Sequence, residues 1–180
     1  EVSSPTANLP ALTAQLARLR VPLGFAAGLI SVVIARPTAT SVAVGTLVAL
    51  SGEGIRVWAA GHLEKSREVT RSGPYRWVRH PLYVGSTVMG AGISLACASL
   101  WVALIAVVYL GTTLTAAVRT EETFLRARFG TQYDEYCSGS AGTVDRTFSW
   151  DRVWRNREWR AFIGLGAVVA LLAAKTAWLG

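Results

Sequence analysis

The sequence predicts an all-α integral membrane bundle of about five transmembrane helices, on three observations. First, the 180-residue chain is 52% hydrophobic and has a positive mean hydropathy. Second, it carries 18 Lys and Arg against 11 Asp and Glu, and most of the basic residues lie in two stretches, 65–79 and 119–160. Third, the apolar segments around these stretches approach the roughly 20 residues that cross a bilayer.

The candidate transmembrane segments are 19–35, 39–60, 82–98, 100–118 and 161–179. The first and third are short for a full crossing. The positive-inside rule places both basic stretches in the cytoplasm. Five spans that cross the membrane in alternating directions satisfy this placement. We therefore expect a multi-pass protein, in a prokaryotic cytoplasmic membrane, whose active site faces the cytoplasm. The single membrane domain, 1–180, divides into two N-terminal spans (19–60), a core with a helical hairpin (61–136), a linker with an interfacial segment (137–160) and a fifth span (161–180).

The distribution of charge also excludes some classes of function. Nucleic-acid binding requires an exposed basic stripe with interleaved aromatic residues, whereas here charge and apolar residues are segregated along the chain. The two cysteines, Cys97 and Cys137, lack the spacing of a disulfide framework or a metal site. We therefore predict neither a nucleic-acid partner nor a bound metal.

The loop before the third span carries the most distinctive motif, SGPYRWVRHPLYVG at 72–85. Its Gly-Pro pair predicts a turn, and Pro81 predicts a helix start because proline is favoured in a first helical turn. Arg79 and His80 are then expected at the inner mouth of the third span. The helix N-terminus, together with Arg76 and Arg79, would favour an anionic group such as a cofactor carboxylate.

A second polar stretch, 119–136, follows the fourth span and contains two adjacent carboxylates, Glu121 and Glu122. Adjacent helical residues point about 100° apart, so the two cannot address one group in the same way. One is expected to face a pocket while the other pairs with Arg119 or Arg126. Taken alone, this stretch also fits a solvated amphipathic helix.

Two features lie within the spans themselves. Glu53 and Arg56 are three residues apart and share a helix face, which indicates either a functional pair or a structural ion pair. The third span is rich in small residues, including Gly85 and Gly92, which allow helices to approach closely in lipid. We expect these glycines to serve helix packing.

Several of these motifs together resemble a known family. The elements are RHPLYVG at 79–85, the preceding GPY at 73–75, and the following Glu121, Glu122, Phe129, Gly130, Tyr133 and Tyr136. They resemble the isoprenylcysteine carboxyl methyltransferase family, which is related to the phospholipid N-methyltransferases. The resemblance covers about 54–136.

The resemblance implies a membrane enzyme that uses S-adenosylmethionine. The cofactor-binding residues that it implies are Arg67, Glu68, Val69, Thr70, Tyr75, Arg79, His80, Pro81, Leu82, Tyr83, Glu121 and Glu122. It also assigns Arg119 and Glu122 to catalysis, with Arg119 as the basic residue nearest to a carboxylate substrate.

The methyl acceptor that the resemblance implies is a lipophilic small molecule, a membrane lipid or a prenylated molecule, with carboxyl methylation of the isoprenylcysteine type as the main expectation. Phospholipid N-methylation is the first alternative. A second is an enzyme similar to the NADPH-dependent sterol reductases, which carry a comparable Arg-His-Pro-x-Tyr element. A third is a membrane scaffold without activity.

Overall fold

The structure, a computed structural model, describes residues 11–179. Throughout that range the chain forms helices, turns and loops, with no strand. The helices are α1 (Ala11–Ile34), α2 (Ala39–His62), α3 (Pro81–Cys97), α4 (Leu100–Phe129), α5 (Thr131–Ser138), α6 (Trp150–Arg155) and α7 (Trp159–Leu179). A short 3-10 turn, Gly73–Arg76, lies between α2 and α3. The predicted all-α class is confirmed.

Three of the described helices are long and apolar enough to cross a membrane: α2, α4 and residues Trp159–Trp178 of α7. The other two candidate spans correspond to shorter apolar helices, Pro22–Ile34 and Pro81–Cys97. These are the two segments that the sequence marks as short. Large apolar side chains on the outer faces are exposed, as expected for helices that contact lipid. The chain is a multi-pass membrane protein.

Helix α4 extends well beyond the predicted fourth span. The sequence places the end of the span at residue 118 and the two glutamates on a helix after it, and the structure joins both into one helix that continues without a break to Phe129, for 30 residues in all. The reason is that the polar stretch after residue 118 consists largely of good helix formers, and the first residue of positive φ within or after α4 is Gly130, at +49°. The polar stretch is therefore a rigid extension of α4 beyond the apolar region.

Helices α2 and α3 pack through small residues that bring their backbones together. A Cβ atom placed on Gly52 would lie 2.7 Å from the carbonyl oxygen of Gly85, and one placed on Gly92 would lie 2.6 Å from the carbonyl oxygen of Gly45. No side chain fits at these positions without displacing backbone. The prediction that the glycines of the third span serve helix packing is confirmed, and the resulting α2–α3 seam anchors the loop between these helices.

Candidate active site

A polar cavity of about 530 Å³ lies where the apolar parts of α2, α3 and α4 end. Its floor comes from the ends of these helices, and the loop between α2 and α3 covers one side. Helix α5 and the turn between α6 and α7 complete the wall. The polar residues that line the cavity are Arg56, Glu64, Lys65, Ser66, Glu68, Thr70, Tyr75, Arg79, Tyr83, Ser86, Thr120, Glu121, Tyr133, Tyr136, Asn156 and Glu158.

The loop motif of 72–85 forms one edge of this cavity. Gly73 has a positive φ of +56°, and a Cβ there would collide with the ring of His62, so the turn requires glycine on two grounds. Pro81 opens α3, and His80 is its N-terminal cap residue. The predicted turn and helix start are both confirmed, and Arg79 and His80 lie at the mouth of α3 as expected.

His80 joins α3 to α4 through two carboxylates. Its Nε2 atom lies 3.3 Å from Glu122 Oε1, and its Nδ1 atom lies 3.7 Å from Glu121 Oε2. The ring stacks on Tyr83, with centroids 5.7 Å apart. Burial lowers the pKa of His80, but hydrogen bonds to Glu121 and Glu122 outweigh burial and raise its pKa above the usual 6.5. The shift favours the imidazolium form more than in a free histidine, and the ring contacts both carboxylates.

The side chains of the two adjacent glutamates point to different surroundings, as helical geometry requires. Glu121 lines the cavity, whereas Glu122 does not and lies 3.5 Å from Arg126. Arg79 approaches the same Glu122 carboxylate at 3.9 Å. Glu121 is thus the carboxylate that faces the cavity. Glu122 lies outside the cavity and contacts Arg79 and Arg126.

Three tyrosines form an aromatic wall opposite α4. Tyr75 is buried, and its carbonyl oxygen accepts a 2.7 Å hydrogen bond from the hydroxyl of Tyr136. Burial raises the pKa of Tyr75 above its usual range and that of Tyr136 to about 12. Tyr133 is 1% exposed and packs beside Tyr136, with ring centroids 6.2 Å apart. These phenols stay protonated at neutral pH and offer apolar faces to a ligand.

The segment after α5 holds the cavity loop in place. Arg146 makes two hydrogen bonds to the carboxylate of Glu68, of 2.5 and 2.9 Å. Such a paired geometry is among the stronger charge-assisted contacts. Nearby, Arg76 bonds to the side chain of Asp145 and does not line the cavity. The carboxylate of Glu68 is therefore already paired with a side chain of the same protein.

Further contacts extend this attachment to the end of α2. Arg152 donates a 2.6 Å hydrogen bond to the carbonyl oxygen of Gly61. The amide of Asn156 donates to the carbonyl oxygens of Ala60 and Leu63, at 3.0 and 3.1 Å. These bonds satisfy carbonyl groups that a helix end leaves without intrahelical partners. We call residues 144–158 the clasp, because they hold the end of α2 and the loop that follows it.

A buried charge cluster lies at the inner end of the cavity. Arg56 Nη2 donates a 2.7 Å hydrogen bond to Glu158 Oε2, and Arg56 Nε lies 3.5 Å from Glu53 Oε2. Glu53 is 3% exposed and neither of its oxygens accepts a hydrogen bond. A Cβ on Gly85 would lie 2.6 Å from Arg56 Cγ, so the last glycine of the loop motif leaves room for this side chain. The expected Glu53–Arg56 pair is present, and Glu158 adds a third member.

The structure brings most of the residues implied by the resemblance to the cavity, but not all of them. Those that line it are Glu68, Val69, Thr70, Tyr75, Arg79, Leu82, Tyr83 and Glu121. Those that do not are Arg67, His80, Pro81, Arg119 and Glu122. Of these, His80 and Glu122 lie directly behind Glu121, whereas Arg67 and Arg119 are exposed.

The polar residues that line the cavity but were not assigned to the site from the sequence include the charged or amide side chains of Glu64, Lys65, Asn156 and Glu158. The first two precede the predicted cofactor loop. The last two lie in the segment expected at the membrane interface. One signal was available, because Asn156 and Glu158 are the polar residues without positive charge in 152–160, which otherwise consists of Trp, Arg and Val.

The fold and the cavity define a helical membrane protein with a polar site at the end of its spans. The phospholipid methyltransferase family matches residues 28–132, more than half of the chain. The chain belongs to this family of membrane methyltransferases. The matched range includes the loop motif and both glutamates of α4, and ends before the clasp.

The chain is also similar in part to a curated protein. The nickel-cobalt-cadmium resistance protein NccN of Alcaligenes xylosoxydans xylosoxydans is 32% identical over 83 residues. This match covers 45% of the chain and 38% of the relative, so the chain spans well under half the length of that protein. No solved structure gives a significant match.

Proposed function

We propose that the chain is an S-adenosylmethionine-dependent methyltransferase that acts on a lipophilic acceptor, with its site on the cytoplasmic side of the membrane. The observation that carries the proposal is the polar cavity at the mouth of α3, which is lined mainly by residues of the family region and faced by Glu121. A cavity of about 530 Å³ falls within the range of small-molecule and cofactor sites.

The residues of the cavity suit the chemistry of S-adenosylmethionine. Its sulfonium and ammonium groups are cations, and Glu121 and Glu64 offer carboxylates to them. Its carboxylate suits Arg79 beside the N-terminus of α3. Its adenine suits the faces of Tyr75 and Tyr83. When bound, this cofactor supplies an electrophilic methyl group.

The contribution of the chain to such a reaction is positioning. A direct methyl transfer needs its reacting atoms held close and aligned, rather than a covalent enzyme intermediate. His80 orients Glu121 through their contact, and the loop held by Arg146 and Glu68 restricts water on one side. These side chains are therefore proposed as positioning residues.

The acceptor has two candidate classes, a phospholipid amine and an isoprenylcysteine-type carboxylate. The family match supports the phospholipid class at least as well as the prenylated one. Arg119, which the resemblance suggests as the carboxylate-holding residue, is exposed and does not line the cavity. The geometry therefore lends no support to carboxylate binding at Arg119.

The cofactor proposal is tested by calorimetry on the detergent-solubilised protein. We expect S-adenosylmethionine to bind, NADPH not to bind, and Glu121→Gln to weaken S-adenosylmethionine binding about tenfold, since one charge contact of roughly 1.4 kcal/mol is lost. Glu135→Gln, an exposed α5 carboxylate outside the cavity, is the matched control and should bind as the wild type does. Absence of binding by the wild type, or binding of NADPH instead, would contradict the proposal.

The acceptor class is tested with S-adenosylmethionine carrying a labelled methyl group. The wild-type protein is reconstituted in vesicles containing either an aminophospholipid or a farnesylated cysteine. Label in the lipid amine would identify an N-methyltransferase, and label in a base-labile ester would identify a carboxyl methyltransferase. Label in neither acceptor, despite cofactor binding, would contradict both candidate classes.

A further inference from the structure

A second, apolar cleft of about 290 Å³ lies between α1, α3 and α4, at the depth of the membrane spans. It is lined by residues such as Ala27, Ile93 and Ile105. The apolar cleft and the polar cavity share Ser86 and Leu114 as lining residues. An amphiphile with a chain in the apolar cleft would therefore place its headgroup beside Ser86.

Arg56 and Glu158 meet at this junction. Arg56 Nη1 donates a hydrogen bond to Ser86 Oγ, and Nη2 donates to Glu158 at 2.7 Å. Both charged side chains line the polar cavity, and Glu158 is 7% exposed. The entrance from the cleft thus carries one cation, Arg56, between two carboxylates, because Arg56 also lies 3.5 Å from Glu53.

This pair matches a headgroup that carries both signs of charge. A guanidinium has five N–H donors in a planar fork, so Arg56 can bind a phosphate while it keeps its bond to the protein. The carboxylate of Glu158 attracts an ammonium group. Arg56 is shared between Glu53 and Glu158, so an acceptor whose only charge is a carboxylate would bring a third anion to a single cation, and such like-charge contacts discriminate between ligands.

We propose that Glu158 is a specificity-determining residue, which with Arg56 receives a zwitterionic phosphate–ammonium headgroup and disfavours a lone carboxylate. The inference rests on the proposed methyltransferase function. It adds that the choice of acceptor is made by a residue of the clasp, outside the family region of 28–132. The core shared with the family would bind the cofactor, and the chain's own C-terminal segment would select the lipid.

The test compares wild type, Glu158→Gln and Glu158→Asp in vesicles that contain either phosphatidylethanolamine or a farnesylated cysteine. We expect Glu158→Gln to raise KM for the aminophospholipid about tenfold, as for loss of one charge contact, with kcat within about twofold. Glu158→Asp should recover most of the affinity because it keeps the charge. The preference between the two acceptors should shift toward the carboxylate in Glu158→Gln, and by much less in Glu158→Asp.

Two further measurements distinguish a change in acceptor preference from a loss of folded structure. Asp151→Asn removes an exposed carboxylate of the same segment, away from the cavity, and should leave both KM values unchanged. The Kd for S-adenosylmethionine should be the same in wild type and Asp151→Asn. A rise in this Kd in Glu158→Gln as large as the rise in KM would overturn the inference, because Glu158 also lines the cavity proposed for the cofactor. If Glu158→Gln fails to fold, Glu158→Asp carries the test, with a smaller rise in KM for the aminophospholipid and none for the farnesylated cysteine.

Distinct outcomes would overturn the inference and the proposed function. Equal changes for both acceptors, or no change in Glu158→Gln, would show that Glu158 only tethers the clasp, and would leave the methyltransferase proposal standing. A wild-type protein that binds no S-adenosylmethionine and methylates neither acceptor would overturn the proposed function and this inference with it.

Discussion

The membrane-embedded seam between α2 and α3 and the polar cavity beyond it are held together by different means. In the seam, small residues allow backbone to meet backbone, as at Gly45 and Gly92. Around the cavity, ion pairs and side-chain hydrogen bonds connect the elements, as between Arg146 and Glu68. The first region depends on shape, and the second depends on charge.

The difference follows from the two solvents. Lipid tails are as apolar as the helices, so burial of apolar surface drives association little, and close van der Waals packing becomes decisive. At the boundary with water, carboxylates and guanidinium groups are stable and pair across elements far apart in the chain. We therefore expect the seam to tolerate no added volume, and the cavity wall to tolerate volume changes but not loss of charge.

The largest expected effect is that of Gly92→Ala in the seam. The new Cβ would lie 2.6 Å from the carbonyl oxygen of Gly45 and 2.7 Å from Cα of Ala49, and neither backbone atom can yield cheaply. We expect the free energy of unfolding to fall by about 1–3 kcal/mol, the usual cost of overpacking. Denaturant titration in mixed micelles measures it.

Gly111→Ala on α4 is the matched control for this substitution. No atom lies within 4 Å of its new Cβ, so better helix propensity should stabilise the protein by roughly 0.5–1 kcal/mol. If both variants were equally stable, the seam would not be the close contact described above.

A smaller effect is expected from Arg146→Ala at the cavity wall. It removes both hydrogen bonds to the half-exposed Glu68. We therefore expect the free energy of unfolding to fall by about 0.5–1 kcal/mol, and the backbone amides of 63–72 to exchange faster. A double-mutant cycle with Glu68→Ala isolates the pair. Arg128→Ala, at an exposed arginine near the end of α4, serves as the control, and unchanged exchange in Arg146→Ala would show that the clasp does not order the loop.

The smallest effect concerns the pH dependence of His80. Burial lowers its pKa, but the hydrogen bonds to Glu121 and Glu122 raise the pKa above 6.5. A raised folded-state pKa means that protonation stabilises the folded protein, so this stability is fully present below about pH 6.5 and is lost as the pH rises through the folded-state pKa. We expect Glu122→Gln to lower the folded-state pKa of His80 and so to bring down the upper end of this pH window.

Imidazole NMR titration measures this pKa directly. The chain has two histidines, so a His62→Gln variant assigns the His80 resonances. A wild-type His80 that titrates at or below 6.5 would mean that the charged link between α3 and α4 is weaker than the contacts indicate.

Much of the fold and part of the site could be predicted from local sequence. Helix starts and turns depend on single residues such as Pro81 and Gly73, and the spans depend on runs of apolar residues. The separation of Glu121 from Glu122 follows from helical geometry, although the sequence did not decide which of them faces the cavity. Arg119 shows the limit, because motif position suggested a role while the packing of α4 leaves that side chain exposed.

The sequence by itself determined that this is a helical membrane protein with a basic, motif-bearing loop at the mouth of α3, because hydropathy and turn chemistry act over a few residues. Only the tertiary structure decided the composition of the cavity wall. The Arg146–Glu68 contact joins residues 78 positions apart, and Arg56–Glu158 joins residues 102 positions apart. Such partners are set by how the helices pack and where the clasp returns, and no local pattern records either.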